Sequence, residues 1–472
     1  MYHRKIFRLN YLFNAYIIVY HEGKMIIENE SAEDDFKSDK LVRTTYKACK
    51  NEKQREKLGV QPLKKALRGI GGWPVLDDGS GKNKRHGTPN SNFSWTELIL
   101  MLSNLGDVEA SHGIMKYDIM KEKEKFLTRA IVLDSPNFTN RKKGFLGQAK
   151  ENHLAKQYFE KMIEIAIHLG ASEAKARQEL ESSLHLEIDL VSLETHSKEQ
   201  EKKARPSVYS SDKLGVPKPV SNKNIVTTLG EVNALLNPDG SRKQSGIATN
   251  WKEFIQLWLK RYNIKPGLQE KVIIRNQKYL QDVSAALTKY QNSQITIANY
   301  LGWLMIEESL EWLDKKSQKL SSDLQNIVCQ SETNQDKAEC KIRPINKQNP
   351  QWKQCLNSLG FNNLDWTRHP QLQAPKTLVP AASLYVRRKI GPLKMKKDFG
   401  IQMTKNLRKQ LLLLIEESKW MDDKTKLSAL DVIKSMKHNI GFPRDITNKT
   451  FMDKNFGGNS KCFQINHSKL TL

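Results

Sequence analysis

The 472-residue chain contains no run of about 18 or more apolar residues, the length a helix needs to cross a bilayer, so no standard membrane span is read from it. Cysteine is sparse: Cys49, Cys329, Cys340, Cys355 and Cys462 are all there is. None stands in a Cys-x-x-Cys pair or in a Cys/His cluster with zinc spacing, which removes zinc-finger and thioredoxin-type motifs. Gly69, Gly71 and Gly72 are not followed by Lys-Ser/Thr, so they form no phosphate loop. Acidic residues are outnumbered by basic ones, 52 to 77, for a formal charge of +25. Such an excess suits nucleic acid, anionic surfaces or acidic partners. Yet the basic clusters at 81–86, 140–144 and 386–397 are short and far apart, and none belongs to a groove-reading motif. Dispersed lysines on a secreted protein is the preferred reading of the charge.

What is present is helical periodicity. Trp251, Ile255, Trp258 and Tyr262 recur at helical spacing and share one face. Tyr158, Met162, Ile165 and Leu169 form a second stripe, with Gly170 where a C-terminal cap belongs. A further helix starts around Ser172 and Glu173, and Met403, Leu407, Leu411 and Leu414 are in register on another. Near the end of the chain, Asp422 or Asp423 caps a helix whose buried face is expected to be Leu427, Leu430, Ile433, Met436 and Ile440, stopped by Gly441 and Pro443. Strand signals are confined to 126–134 and 271–276. Residues 196–224 and 330–350 read as polar loops. The expected fold class is mainly α: a large multi-helix lobe with a few short β-strands.

Two features bear on compartment. His3, Arg4, Lys5 and Arg8 precede the apolar stretch 9–20, the layout of a weak signal sequence. Asn10 and Asn14 interrupt that stretch and no small-x-small cleavage site follows, so a displaced start is an equal reading. Asn-x-Ser/Thr sequons at Asn29, Asn92, Asn137, Asn448 and Asn466 are glycosylation candidates. With sparse cysteine they lean toward an extracellular chain.

Several phrases together resemble the N-terminal, non-catalytic helical domain of the neprilysin and endothelin-converting-enzyme family of zinc metallopeptidases. Tyr46, Cys49, Gly59, Pro62, Leu63, Gly72, Trp73 and Pro74 follow its opening pattern. "VIIRNQKYL" (272–280), "NYLGWLMI" (299–306), "WKQC" (352–355), "SLYVRRKI" (383–390) and the Trp-Met-Asp helix at 420–443 follow in the same order. Leu304 departs from the family's arginine, and 137–147 departs from its Leu-Pro-x-x-x-Tyr-Tyr segment. The resemblance divides the chain into a divergent segment 1–40, the family domain 41–446 and a tail 447–472.

The resemblance implies extracellular peptide proteolysis with zinc held by a His-Glu-x-x-His helix, in which two histidines one turn apart bind the metal and the glutamate activates water. None of the eleven histidines begins that motif; His21 and Glu22 come nearest, with Met25 in place of the second histidine. An exposed or loosely packed segment is therefore the preferred reading of 14–25. No zinc or other cofactor is expected in this chain, whose tail is read as truncated before the catalytic domain. The family pairing of cysteines implies a Cys49–Cys355 disulfide. Cys329 and Cys340 share one polar loop and either pair locally or are both free; Cys462 is left over.

Three functions follow as expectations. The first is the substrate-chamber lobe of a neprilysin-like peptidase, non-catalytic in this chain, with peptides as partners. The second is a secreted, catalytically dead peptide-binding or decoy paralogue. The third is a basic binder of anionic glycans or nucleic acid. Carboxylates at 134–136 and the 196–201 segment read as surface loops, Trp73 and Trp303 as core.

Overall fold

The computed structural model describes residues 21–29, 35–77, 95–104, 113–121, 129–136, 138, 152–203, 225–237, 250–260, 264–289, 294–330, 351–359, 378–390, 394–435 and 444–457. The chain divides into two compact units, one from Met1–Lys50 with Asn349–His467 and one from Asn51–Gln348 with Ser468–Leu472. In chain order, helices α1 (21–28) and α2 (Lys37–Lys50) start the first unit. The second holds α3 (Glu52–Leu58), α4 (Gln61–Gly69), α5 (Trp95–Asn104), β1 (Lys116–Lys121), β2 (Arg129–Asp134), α6 (His153–His168), α7 (Glu173–Lys203), β3 (Ile225–Thr228), α8 (Val232–Leu236), α9 (Trp251–Lys260), β4 (Lys271–Ile274), α10 (Gln277–Lys289), α11 (Gln294–Ser309) and α12 (Lys315–Val328). The chain returns to the first unit with α13 (Gln351–Ser358), α14 (Leu378–Tyr385), a π-helical turn (Val386–Ile390), α15 (Lys394–Glu416), α16 (Asp423–Ser435) and α17 (Lys449–Phe456). The fold is mainly α with one small sheet, as the periodicity anticipates.

In the second unit the apolar stripes read from sequence are core. Tyr158, Met162, Ile165 and Leu169 are fully buried on α6, and Gly170 ends it at φ +100°, a conformation glycine adopts without a Cβ penalty. Trp251, Ile255 and Trp258 are buried on α9; Tyr262 lies outside the described residues. Helix α11 is apolar around nearly its whole circumference because neighbours cover it on several sides. Trp303 on α11 donates to Tyr158 Oη at 2.8 Å, which satisfies the indole N–H in the core. Trp73 donates to the Asn299 carbonyl at 3.0 Å. Both tryptophans are core residues.

The sheet has the order β1-β2-β4-β3, with β2 and β4 parallel and the outer pairs antiparallel. Strands β2 and β4 are the two legible in sequence. Strands β1 and β3 carry no long run of apolar residues, so composition does not announce them. Tyr117 of β1 meets Phe254 and Trp258 of α9 edge-on, each at 5.0 Å, and closes one side of the sheet.

Two loop readings are corrected here. Residues 196–203 are the last two turns of α7, since no glycine or proline precedes Pro206 and Asn276 donates to Ser197 Oγ at 2.9 Å. Asp134 closes β2 and Ser135 is buried behind it, so 134–136 is no surface loop.

The first unit also departs from expectation at its edges. Residues 21–28 form a helix; of the segment 14–25, His21 and Met25 are exposed as expected, Gly23 is buried, and 14–20 lie outside the described residues, while Ile26 and Ile27 of the next turn are buried. Residues 449–456, read as tail, form α17. Its Met452 is fully buried in a cluster with Phe36, Val386 and Ile446. The buried face expected on α16 is found only in part: Ile433 is buried, Leu430 half-buried, and Leu427 exposed. Met436, Ile440, Gly441 and Pro443 lie outside the described residues.

Candidate functional site

Among the described residues of the first unit, a cluster of ionisable side chains sits between the start of α2 and the π-helical turn. Asp35 and Asp39 are both buried. Asp39 accepts from the Phe36 backbone N–H at 2.7 Å, three residues back, which satisfies a donor at the start of α2. Arg43, one turn on, pairs with Asp35 through Nε at 3.2 Å. Its Nη1 donates to the carbonyls of Ile26, Ile27 and Asn29 at 2.6, 2.7 and 2.5 Å. These are the orphan acceptors at the C-terminal end of α1, so one guanidinium caps that helix and neutralises Asp35.

The π-helical turn supplies the other charges. Arg387 pairs with Asp39, and Arg388 with Asp35 at 2.7 Å. The Arg387 guanidinium carbon also lies 3.5 Å from the Phe36 ring centroid. Burial pushes the Asp39 carboxyl above the usual carboxylate range; Arg387 opposes this without reversing it. Lys389 of the same turn meets Glu22 at 3.0 Å, and Tyr385 donates to Glu22 at 2.9 Å. Burial raises the Glu22 carboxyl, but the bonds from Lys389 and Tyr385 outweigh it and the net shift is downward. Burial and the Glu22 bond raise the Tyr385 hydroxyl.

This geometry changes the meaning of the basic run at 386–397. Arg387, Arg388 and Lys389 are each paired with a carboxylate of the same unit. Asp35, Asp39 and Glu22 each have a cationic partner, and the chemistry of the cluster is that of a clasp. Beside it, Cys49 on α2 and Cys355 on α13 form a disulfide across 306 residues, with Cα atoms 5.8 Å apart. Cys329 is disulfide-bonded as well, while Cys340 and Cys462 lie outside the described residues.

Among the described residues, the arrangement nearest to a catalytic combination fails on geometry. His168 has a serine and an aspartate at hand, Ser317 Oγ at 3.0 Å and Asp314 Oδ1 at 4.0 Å. Both meet the same ring nitrogen, Nε2, so the imidazole cannot pass a proton between them. Burial holds the His168 pKa down. Asp314 instead caps α12 by accepting from the Ser317 N–H at 2.8 Å. His21 stacks toward Trp352 at 5.4 Å, His153 meets Gln157, and His196 meets the Ser192 carbonyl. Among the described residues no group of three or more His, Cys, Asp or Glu side chains is placed to hold a metal ion. Of the sequons, Asn29 and Asn448 are exposed; Asn92, Asn137 and Asn466 lie outside the described residues. No described helix is long and apolar enough to cross a membrane.

Comparison with known proteins places these elements. The chain is 22% identical to Neprilysin-11 of Caenorhabditis elegans over 458 residues, covering 90% of this chain and 42% of that one. It is 23% identical to Neprilysin-2 of Drosophila melanogaster, covering 90% and 47%. It is 19% identical to endothelin-converting enzyme 1 of Cavia porcellus, covering 92% and 48%. The chain therefore spans about half the length of the curated relatives it matches. In fold it is similar to the zinc metalloprotease Zmp1 of Mycobacterium tuberculosis in its open state, with a TM-score of 0.59 at 14% identity over 98% of this chain and 59% of that one. PepO of Lactobacillus rhamnosis gives a TM-score of 0.53 at 11% identity, over 97% and 60%. The N-terminal domain model of peptidase family M13 matches residues 18–443, and with the ordered landmarks from Tyr46 to the α16 helix it establishes that the chain belongs to peptidase family M13.

Proposed function

We propose that this chain is the substrate-chamber lobe of a neprilysin-like metalloendopeptidase and that it does not hydrolyse peptides by itself. One juxtaposition carries the reading: the family's N-terminal domain matches residues 18–443, while His-Glu-x-x-His occurs nowhere in the 472 residues. A zinc peptidase needs two histidines on one helix face and a glutamate beside them. The lobe's own part is to admit and hold peptide. An extracellular setting accords with the Cys49–Cys355 bridge, since disulfides persist in oxidising compartments.

The reading is tested by incubating the purified 472-residue chain with a quenched fluorogenic peptide, with and without a zinc chelator. No chelator-sensitive turnover is expected, together with a zinc content near zero after dialysis. Chelator-sensitive turnover by this chain alone would overturn the proposal.

A further inference from the structure

Basic residues that stand far apart in the chain are brought together in the second unit. Lys64, Lys65 and Arg68 share one arc of α4, opposite the buried Leu63, Ala66 and Leu67. Lys316 and Lys319 stand on the outer side of the first turns of α12. All of these cations are exposed except Lys64, which is half-buried. The end of α6 joins the two groups. Lys64 Nζ lies over Gly170, 3.2 Å from where a Cβ would stand, and the charges of Lys64 and Lys316 both reach His168. Lys315 ties in α3: its ammonium meets Glu52 at 2.7 Å and its backbone N–H donates to Glu56 at 2.8 Å. The neighbouring carboxylates are engaged. Lys315 holds Glu52 and Glu56, the Ser317 N–H holds Asp314, Lys161 holds Glu164, and Glu311 has a partner as well. None of Lys64, Lys65, Arg68, Lys316 and Lys319 meets a carboxylate among the described residues, whereas Lys161, Lys175, Arg177, Lys198 and Lys278 of the same unit each do.

These positions work against the fold. Lys64 and Arg68 are like charges one turn apart, as are Lys315 and Lys319, and such pairs destabilise a helix. Lys315 and Lys316 also occupy the first turn of α12, where the helix dipole disfavours cations and no acidic residue stands. A bound polyanion turns each of these penalties into attraction. We propose that α4 and the start of α12 form a docking surface for a sulfated polysaccharide. The surface favours a carbohydrate over a nucleic acid. The exposed large apolar side chains described in this unit are Ile167, Val226, Ile264 and Leu268, and none is an aromatic platform on which bases could stack. Charge complementarity alone suffices for a sulfated chain, which has no bases to stack. The extracellular setting proposed above is where such polysaccharides occur, and it is the only part of that reading the inference uses.

The test measures binding of a fluorescein-labelled heparin oligosaccharide to the 472-residue chain by fluorescence anisotropy. Binding is expected at about 150 mM salt and should weaken steadily as salt rises, as counterion release from a polyanion requires. Lys65→Glu with Lys316→Glu should weaken it about tenfold or more. Both side chains are exposed, so the variant should keep its circular dichroism. Lys65→Gln with Lys316→Gln should give a smaller loss in the same direction while keeping or raising the thermal midpoint, since it relieves like-charge repulsion. Lys156→Glu with Lys265→Glu makes the same change in net charge at exposed positions of this unit outside the patch, and should leave the affinity nearly unchanged. No binding at about 150 mM salt overturns the proposal. So does binding that neither patch variant weakens. An equal loss in the Lys156 and Lys265 variant also overturns it, since net charge alone would then hold the glycan. Tighter binding of a labelled oligonucleotide, single-stranded or duplex, overturns it in favour of nucleic acid.

Discussion

The indole of Trp73 occupies the space that a side chain at position 302 would need: a Cβ built on Gly302 would lie 2.4 Å from Trp73 Cδ1. The close approach is what lets Trp73 Nε1 reach the Asn299 carbonyl one turn earlier on α11. Asn299 completes the joint by accepting from the Val75 N–H at 3.0 Å and donating to Glu179 at 2.8 Å. Gly302→Ala should therefore destabilise. Alanine favours a helix interior by about 1 kcal/mol, but forcing a methyl into a filled site costs about 1–3 kcal/mol. A lowered denaturation midpoint for the unit holding Trp73 is expected; an unchanged or raised midpoint would show that the indole yields.

The disulfide makes a larger prediction. Cys49 and Cys355 close a loop of 306 residues, and the chain-entropy model gives such a bridge about 4–5 kcal/mol. Cys49→Ser with Cys355→Ser should lose most of that in urea denaturation of the first unit. Mutation is preferable to a reductant because Cys329 is also disulfide-bonded. A loss below about 1 kcal/mol would mean that the unfolded chain is already constrained there.

The elements legible in sequence are those whose partners are local or whose face is fully covered. Tyr158, Met162, Ile165 and Leu169 gave a helix and its buried side together, because a stripe bounded by polar residues and a glycine stop leaves little choice. The same spacing at Met403, Leu407, Leu411 and Leu414 gave the helix correctly and implied nothing about cover, since periodicity says which residues share a face and is silent on what meets it. Arg387 and Arg388 read as part of a basic run because the carboxylates that neutralise them lie some 350 residues earlier in the chain. Helix α1 is not legible in the sequence for a related reason: its cap is a side chain, Arg43, from the next helix, and not a residue beside it.

That distant pairing is testable through Arg387. Removing it in Arg387→Ala leaves the Asp39 carboxylate buried without its charge partner and takes from Phe36 the nearer of two cations, the Lys449 ammonium at 5.0 Å remaining. Breaking one side of a buried pair costs about 3–5 kcal/mol. Arg387→Lys keeps a charge but loses the planar stack, so it should recover only part of the stability. Adding Asp39→Asn to Arg387→Ala should cost less than the sum of the two single changes. Strict additivity in chemical denaturation would show the two residues to be energetically independent.

His168 gives a pH dependence of defined sign. Burial lowers its pKa in the folded chain relative to about 6.5 when unfolded. The unfolded state therefore binds the proton more readily, and stability from the neutral imidazole is complete above about pH 6.5 and lost as pH falls through the folded value. The comparison of wild type with His168→Gln isolates this from every other titrating group. The stability difference between them should shift against the wild type from pH 7 to pH 5. A constant difference across that range would show that His168 titrates alike in both states.

Asn448 holds two roles that substitution can separate. Its side-chain oxygen caps α17 by accepting from the Phe451 N–H at 3.1 Å, and its exposed amide stands in an Asn-Lys-Thr sequon. A glycan would attach through the amide nitrogen and leave the capping oxygen free, so the two roles are compatible. Asn448→Asp keeps an acceptor at the helix start and removes the sequon. Asn448→Ala removes both and should cost about 1 kcal/mol. Met452, on the helix so capped, is fully buried against Phe36, Val386 and Ile446, which ties the loss of the cap to the core of the first unit. In chain secreted from a eukaryotic host, both variants should lose the same mass if Asn448 is glycosylated, while only the alanine variant loses the full capping energy. Equal destabilisation by the two would mean that the sugar, and not the cap, holds α17 in place.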